Sequence, residues 1–104
     1  MQLDEDTLEN TVLKIDVKIR NAEGLHMRPA MQFVDAATRF DSEITVSNGQ
    51  TTVDGKSIMQ MSMLAATFGT RLTINAQGSD AKDALEALRE LVEVKKFDEP
   101  APGQ

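Results

Sequence analysis

Apolar residues recur along this chain with two different periods, and the order in which those periods alternate narrows the folds open to it. Leu13, Ile15, Val17 and Ile19 occupy every second position, with Lys14, Asp16, Lys18 and Arg20 between them, the pattern of a strand buried on one face. Asn21 to Gly24 then turn the chain. After Pro29 the spacing changes, because Ala30, Phe33, Val34 and Ala37 fall at i, i+3, i+4 and i+7 and predict a helix to about Thr38, with Arg39 suited to its C-terminal end. Ile44 and Val46 alternate with Thr45 and Ser47, Asn48-Gly49 is a strong two-residue hairpin signal, and Thr51 to Val53 return as a short strand.

Ser57-Ile58-Met59-Gln60 has the spacing of a capping box, in which the Ser57 hydroxyl and the Gln60 side chain satisfy unpaired donors at a helix start. A short helix to Phe68 is expected, with Gly69 as its left-handed cap, followed by a strand in which Leu72, Ile74 and Ala76 alternate with Thr73 and Asn75. Gly78-Ser79-Asp80 breaks that strand and caps a last helix, whose apolar face is Ala81, Ala84, Leu85, Leu88, Leu91 and Val92, with Lys95 and Lys96 near its negative end. The order is β-α-β-β-α-β-α. Strands and helices that are each apolar on one side pack most simply as a single sheet covered on one face, an α+β fold. Residues 12–97 form that domain, residues 1–11 an acidic flexible extension, and residues 98–104, with two prolines and a glycine, a frayed tail.

A chain of 104 residues, 40% of them apolar, can bury one modest core and has little left over for an enclosed active site. Eleven Lys and Arg against seventeen Asp and Glu give a net charge of −6, which disfavours nucleic acid or an anionic membrane as the main partner. No run approaches the roughly 18 apolar residues of a membrane span. The polar start Met1-Gln2-Leu3-Asp4-Glu5-Asp6 has no signal-peptide character, so the cytoplasm is the expected compartment. With no cysteine and one histidine, the chain has neither a disulfide nor a thiolate or multi-histidine metal site, and no metal or cofactor is expected.

That single histidine lies in Gly24-Leu25-His26-Met27-Arg28-Pro29-Ala30, directly before a helix start. Proline is accepted in a first helical turn and disfavours helical geometry in the residue before it, so Arg28 is expected as a turn or cap residue and the helix to begin near Pro29. The free N–H groups of Ala30 and Met31, with the positive end of the helix dipole, would then face the His26 ring. An imidazole nitrogen can attack a phosphoryl group and later release it, and the Arg28 fork matches phosphoryl oxygens. Gly24 suits a positive φ on the approach to the ring. By itself the tripeptide His26-Met27-Arg28 is a weak signal and fits better a surface cap beside a solvated charge.

The heptapeptide resembles the active-site signature of the HPr family, the histidine-containing phosphocarriers of the phosphotransferase system. A second block, Asp54-Gly55-Lys56-Ser57-Ile58-Met59, resembles that family's regulatory-serine segment, with Ser57 thirty-one positions after His26. The likeness runs from about Val12 to about Lys96. It implies a four-stranded antiparallel sheet in the order 1-4-2-3, with all three helices on one face as an open-faced sandwich. It also implies that His26 accepts a phosphoryl group on Nδ1 from phosphorylated enzyme I, which took it from phosphoenolpyruvate, and passes it to a histidine of enzyme IIA proteins. Arg28 would contact phosphoryl oxygens in transit. Such a protein is a monomeric carrier and not an enzyme. An acidic extension of about ten residues before the first strand, Gln60 where many relatives carry glycine, and Met27 where small residues are common depart from the family pattern.

Ser57 reads fully as a helix cap, and the resemblance adds regulatory phosphorylation by an HPr kinase, found in some lineages. Met59, Met61 and Met63 cluster on a helix too short to bury them all. Met61 and Ile58 suit the core, and Met27, Met59 and Met63 an adaptable apolar docking surface for partner proteins. One alternative is a regulator of the same fold that binds transcription factors or enzymes through the Ser57 helix without a role in sugar uptake. Another is a small-molecule-binding domain or a histidine-dependent phosphatase, which lacks a second acid or base near His26 in sequence.

Overall fold

A strand that is apolar on one side tends to bury that side, and the four strands here do so in one sheet, except at the start of β1, where Leu13 stays 39% exposed and Ile15 is only partly buried. The computed structural model describes residues 11–98, so nearly all of the acidic extension (1–11) and of the C-terminal tail (98–104) lies outside the described residues. Strands β1 (Val12–Lys18), β2 (Glu43–Ser47), β3 (Thr52–Asp54) and β4 (Arg71–Gln77) are joined in the order β1-β4-β2-β3, antiparallel throughout. The register aligns Ile15, Ile74, Val46 and Val53 in one row across all four strands. Helices α1 (Met27–Ala37), α2 (Ile58–Ser62) and α3 (Ala81–Arg89) supply the other half of the core through Phe33, Ala37, Met61, Ala84 and Leu88, all fully buried. The sheet's other face is polar: Thr73 Oγ1 donates to Asp16 Oδ1 at 2.7 Å, and Asn75 Nδ2 to Thr45 Oγ1 at 3.3 Å. The order 1-4-2-3 with three helices is thus the one the family resemblance implies.

Several local expectations are corrected. Helix α1 begins at Met27, two residues before Pro29, with His26 as its N-cap. Pro29 is then the third helical residue, still among the donors that have no intrahelical partner, so its missing N–H costs nothing there. The β2–β3 connection is a four-residue loop, since Ser47 pairs with Thr52. Asn48 Oδ1 closes it by accepting from the N–H groups of Gln50 (2.9 Å) and Thr51 (2.8 Å), a side-chain bond that competes with the tight two-residue turn.

Helix α2 ends at Ser62, well short of Phe68, and the chain leaves it through Ala65 at φ 50°. Gly69 does have a positive φ of 88°, but in a later turn, where its N–H donates to the Ile19 carbonyl at 2.8 Å. The last helix widens after Arg89 into a π turn, Glu90–Val94, closed by Lys95 N–H on the Glu90 carbonyl at 2.8 Å. Beyond it Lys96, Phe97 and Asp98 all take positive φ (51°, 55° and 54°), which folds the chain back and buries Phe97 completely. The sequence pattern did not single out Phe97 as a core residue.

Candidate functional site

The turn that carries His26 is built by fastening two loops together. Past the end of β1, Ile19 N–H donates to the Thr70 carbonyl at 2.9 Å, and Leu25 N–H to the Ala66 carbonyl at 2.8 Å, so the β1–α1 loop lies along the α2–β4 loop. Gly24 sits between those contacts at φ 68°, and a Cβ there would stand 2.6 Å from the Ala66 carbonyl oxygen. Only glycine satisfies both the conformation and the close approach. Asn21, wholly buried, braces the turn: its Nδ2 donates to the Gly24 carbonyl at 2.8 Å, and its own carbonyl accepts from Gly24 N–H at 3.1 Å. Leu25 then drops into the core, which leaves the neighbouring His26 on the outside.

As the N-cap, His26 has extended backbone (φ −73°, ψ −175°) and makes no side-chain cap hydrogen bond. Its imidazole is exposed at the positive end of an eleven-residue helix. Which amides are free differs from expectation. Ala30 N–H donates to the His26 carbonyl at 2.9 Å and is the first rung of the helix, so Ala30 is not available to an anion. Met31 lies deeper still, inside the helix. Because the helix starts two residues early, the amides without an intrahelical partner belong to Met27 and Arg28.

Arg28 is correspondingly not a turn residue but the second residue of α1, and it is half-buried. Its Nη2 pairs with the Glu23 carboxylate, and its Nη1 donates to the Phe97 carbonyl at 2.5 Å. Gln32, one turn along, donates to the same carbonyl at 3.0 Å and accepts from Nη1 at 2.9 Å once its amide is oriented to satisfy both. The guanidinium is therefore held on both prongs by the loop before the helix and by the C-terminal turn.

Ser57 caps α2, its Oγ accepting from Gln60 N–H at 3.2 Å. The expected box is not reciprocal: Ser57 N–H goes to the Asp54 carbonyl (3.1 Å), and the Gln60 side chain accepts from Asp54 N–H instead, at 2.9 Å. Among the methionines Met61 is fully buried, whereas Met27, Met59 and Met63 are 60%, 75% and 69% exposed. Ile58, expected in the core, is partly exposed too. Met27, Met31, Val34 and Ile58 line an open groove of about 620 Å³ between α1 and α2, which Met59 and Met63 do not line. Met31 thus contributes its side chain to an apolar surface, a role the spacing of the three expected methionines did not reveal.

Asp80, expected to cap α3, makes no side-chain cap bond. Its carboxylate accepts instead from Asp41 N–H (2.8 Å), Ser42 N–H (3.0 Å) and the Ser42 hydroxyl, tying the start of α3 to the α1–β2 loop. The Ser42 hydroxyl, ahead of the backbone donors, holds its pKa below the usual carboxylate value. Gly78 makes that approach possible, since a Cβ there would lie 2.6 Å from Ser42 Oγ. No helix among the described residues is long and apolar enough to cross a membrane.

Comparison with known proteins agrees with this architecture. A phosphocarrier protein HPr from Haemophilus influenzae is 48% identical over 77 residues, covering 74% of this chain and 91% of that protein. A multiphosphoryl transfer protein from Salmonella typhimurium is 38% identical over 91 residues, 85% of this chain but 24% of that longer protein. The crystal structure of HPr-C-His from Thermoanaerobacter tengcongensis superposes with a TM-score of 0.80 at 38% identity, covering 85% of this chain and 98% of that one. The family model described as the PTS HPr component phosphorylation site matches residues 13–94, so the chain belongs to the HPr family of the phosphotransferase system, a family of phosphocarriers rather than enzymes.

Proposed function

We propose that this protein carries a phosphoryl group on His26, received on Nδ1 from phosphorylated enzyme I with phosphoenolpyruvate as the source, and delivers it to a histidine of enzyme IIA proteins. The observation that carries this reading is the exposed His26 imidazole at the N-cap of α1, whose ring is not spent on capping. An exposed nitrogen can be approached in line by both a donor and an acceptor. The amides of Met27 and Arg28, the dipole of α1 and the Arg28 fork are the donors at hand for the phosphoryl oxygens. The groove lined by Met27, Met31 and Ile58, with exposed Met59 on α2 and Met63 just after it, supports docking of several partner proteins on one adaptable surface. The carrier works as a monomer in the cytoplasm, where both partners meet it.

Ser57 joins this reading as a regulatory site for an HPr kinase, because it stands at the N-terminus of α2 beside those exposed methionines. A phosphate there also gives a transcriptional regulator something to recognise. The test is incubation with radiolabelled phosphoenolpyruvate and enzyme I. One label per chain is expected, labile in acid and stable in base, and absent from His26→Ala. Label retained by His26→Ala would remove His26 from the relay.

A further inference from the structure

The geometry points to Glu23 as a positioning residue for Arg28, one that orients the guanidinium before transfer and contends with the phosphoryl group for it afterwards. This rests on the phosphocarrier reading above. Arg28 meets a neutral carbonyl, that of Phe97, on Nη1 and a carboxylate, that of Glu23, on Nη2. With side chains 40% and 42% exposed, the Arg28–Glu23 pair is a surface pair of small net strength. It still fixes which way the fork points, so less side-chain freedom remains to be lost when a phosphoryl group arrives.

A phosphoryl group on His26, two positions before Arg28, brings up to two negative charges and three acceptor oxygens. It competes for the prong that Glu23 holds, and the carboxylate opposes it as a like charge. Phe97 offers no such opposition, since its carbonyl is uncharged. The phosphorylated state is thereby held less firmly than an unopposed arginine would hold it, which suits a carrier that has to release its cargo. In the onward step the bond between the His26 nitrogen and phosphorus breaks and its electron pair returns to the imidazole. A nitrogen of the acceptor imidazole supplies the pair for the new bond to phosphorus.

The test uses the full chain phosphorylated at His26 chemically, with phosphoramidate, and a pH titration followed by phosphorus NMR. Glu23→Gln keeps the shape and removes the charge, so the midpoint for the second ionisation of the phosphoryl group should fall by about half a pH unit or more. Glu23→Asp, which keeps the charge, should stay closer to wild type. In parallel, at a fixed ratio of phosphoenolpyruvate to pyruvate with enzyme I, the equilibrium constant for phosphorylation of Glu23→Gln should rise roughly three-fold, the same half unit in pK. A folded Glu23→Gln protein with an unchanged or raised midpoint overturns the inference, as does failure of phosphoramidate to modify His26. Failure of enzyme I alone to label the wild type sinks the relay, while the phosphorus titration still decides the role of Glu23.

Discussion

Arg28 joins the turn that carries His26 to the C-terminal turn at Phe97. Its guanidinium reaches back to Glu23 and across to the Phe97 carbonyl, so a residue expected to face solvent is also a structural clasp. Truncation to alanine leaves that carbonyl with Gln32 alone and removes the pair with Glu23. Arg28→Ala should therefore cost about 1 to 2 kcal/mol in urea unfolding, in addition to slowing phosphoryl transfer by roughly ten-fold or more. Loss of stability with unchanged transfer rates to and from both partners would confine Arg28 to the clasp and leave the phosphoryl oxygens to the amides of Met27 and Arg28.

Asp80 and Ser57 show how the ends of short helices are held by contacts outside the helix. The Asp80 carboxylate joins the start of α3 to Asp41 and Ser42, and those donors lower its pKa from the ordinary 3.8. A carboxyl group whose folded pKa is depressed contributes stability above its unfolded value and loses it as pH falls through the folded value. Asp80→Asn should be less stable than wild type by about 1 kcal/mol at neutral pH, and the two should converge as pH falls below the ordinary carboxylate range. A constant gap down to acid pH would show that the charge contributes nothing.

On α2, five residues long, the Ser57 hydroxyl satisfies the Gln60 amide. Ser57→Ala should cost about 1 kcal/mol, whereas Ser57→Asp should keep or gain roughly 0.3 to 1 kcal/mol, since a carboxylate can cap and also favours the helix N-terminus. The added charge lies beside the exposed methionines, so enzyme I-dependent labelling of Ser57→Asp should slow although its melting temperature holds. A folded Ser57→Asp protein labelled as fast as wild type would leave Ser57 as a cap only.

Across the whole molecule the core closes at the C-terminal turn. The π turn Glu90–Val94 shifts the helical register, and the three positive-φ residues after it swing Phe97 into the core and deliver its carbonyl to Arg28. Non-glycine residues in that region cost of order 1 kcal/mol each, and burial of a whole phenyl ring offsets them. Phe97→Ala should lower unfolding free energy by about 3 to 5 kcal/mol, a large share of the stability of a domain this size, and should loosen the Arg28 clasp with it. A cost below about 1 kcal/mol in urea unfolding would show the turn to be peripheral to the core.

Periodicity, with the capping box at Ser57 and the turn signals between strands, determined the identity and sequence of the elements, because burial of one face acts residue by residue: Val17, Ile44, Val46, Leu72, Ile74 and Ala76 point inward as the alternation required, whereas Leu13 at the start of β1 does not. His26 was legible for the same local reason, a lone histidine before a proline-marked helix start, and Ser57 by its capping spacing. The boundaries were not legible, since they depend on partners distant in sequence. Pairing of Leu25 with Ala66 settles the chain just before α1, which starts early enough to free the Met27 and Arg28 amides instead of those of Ala30 and Met31. The same holds for Asp80, drawn from its cap to Ser42, and for Arg28, whose partner at Phe97 lies sixty-nine residues away. The local pattern carries each residue's preference for burial or solvent, but the competing acceptors and donors that redirect a polar side chain exist only once the sheet has brought them together.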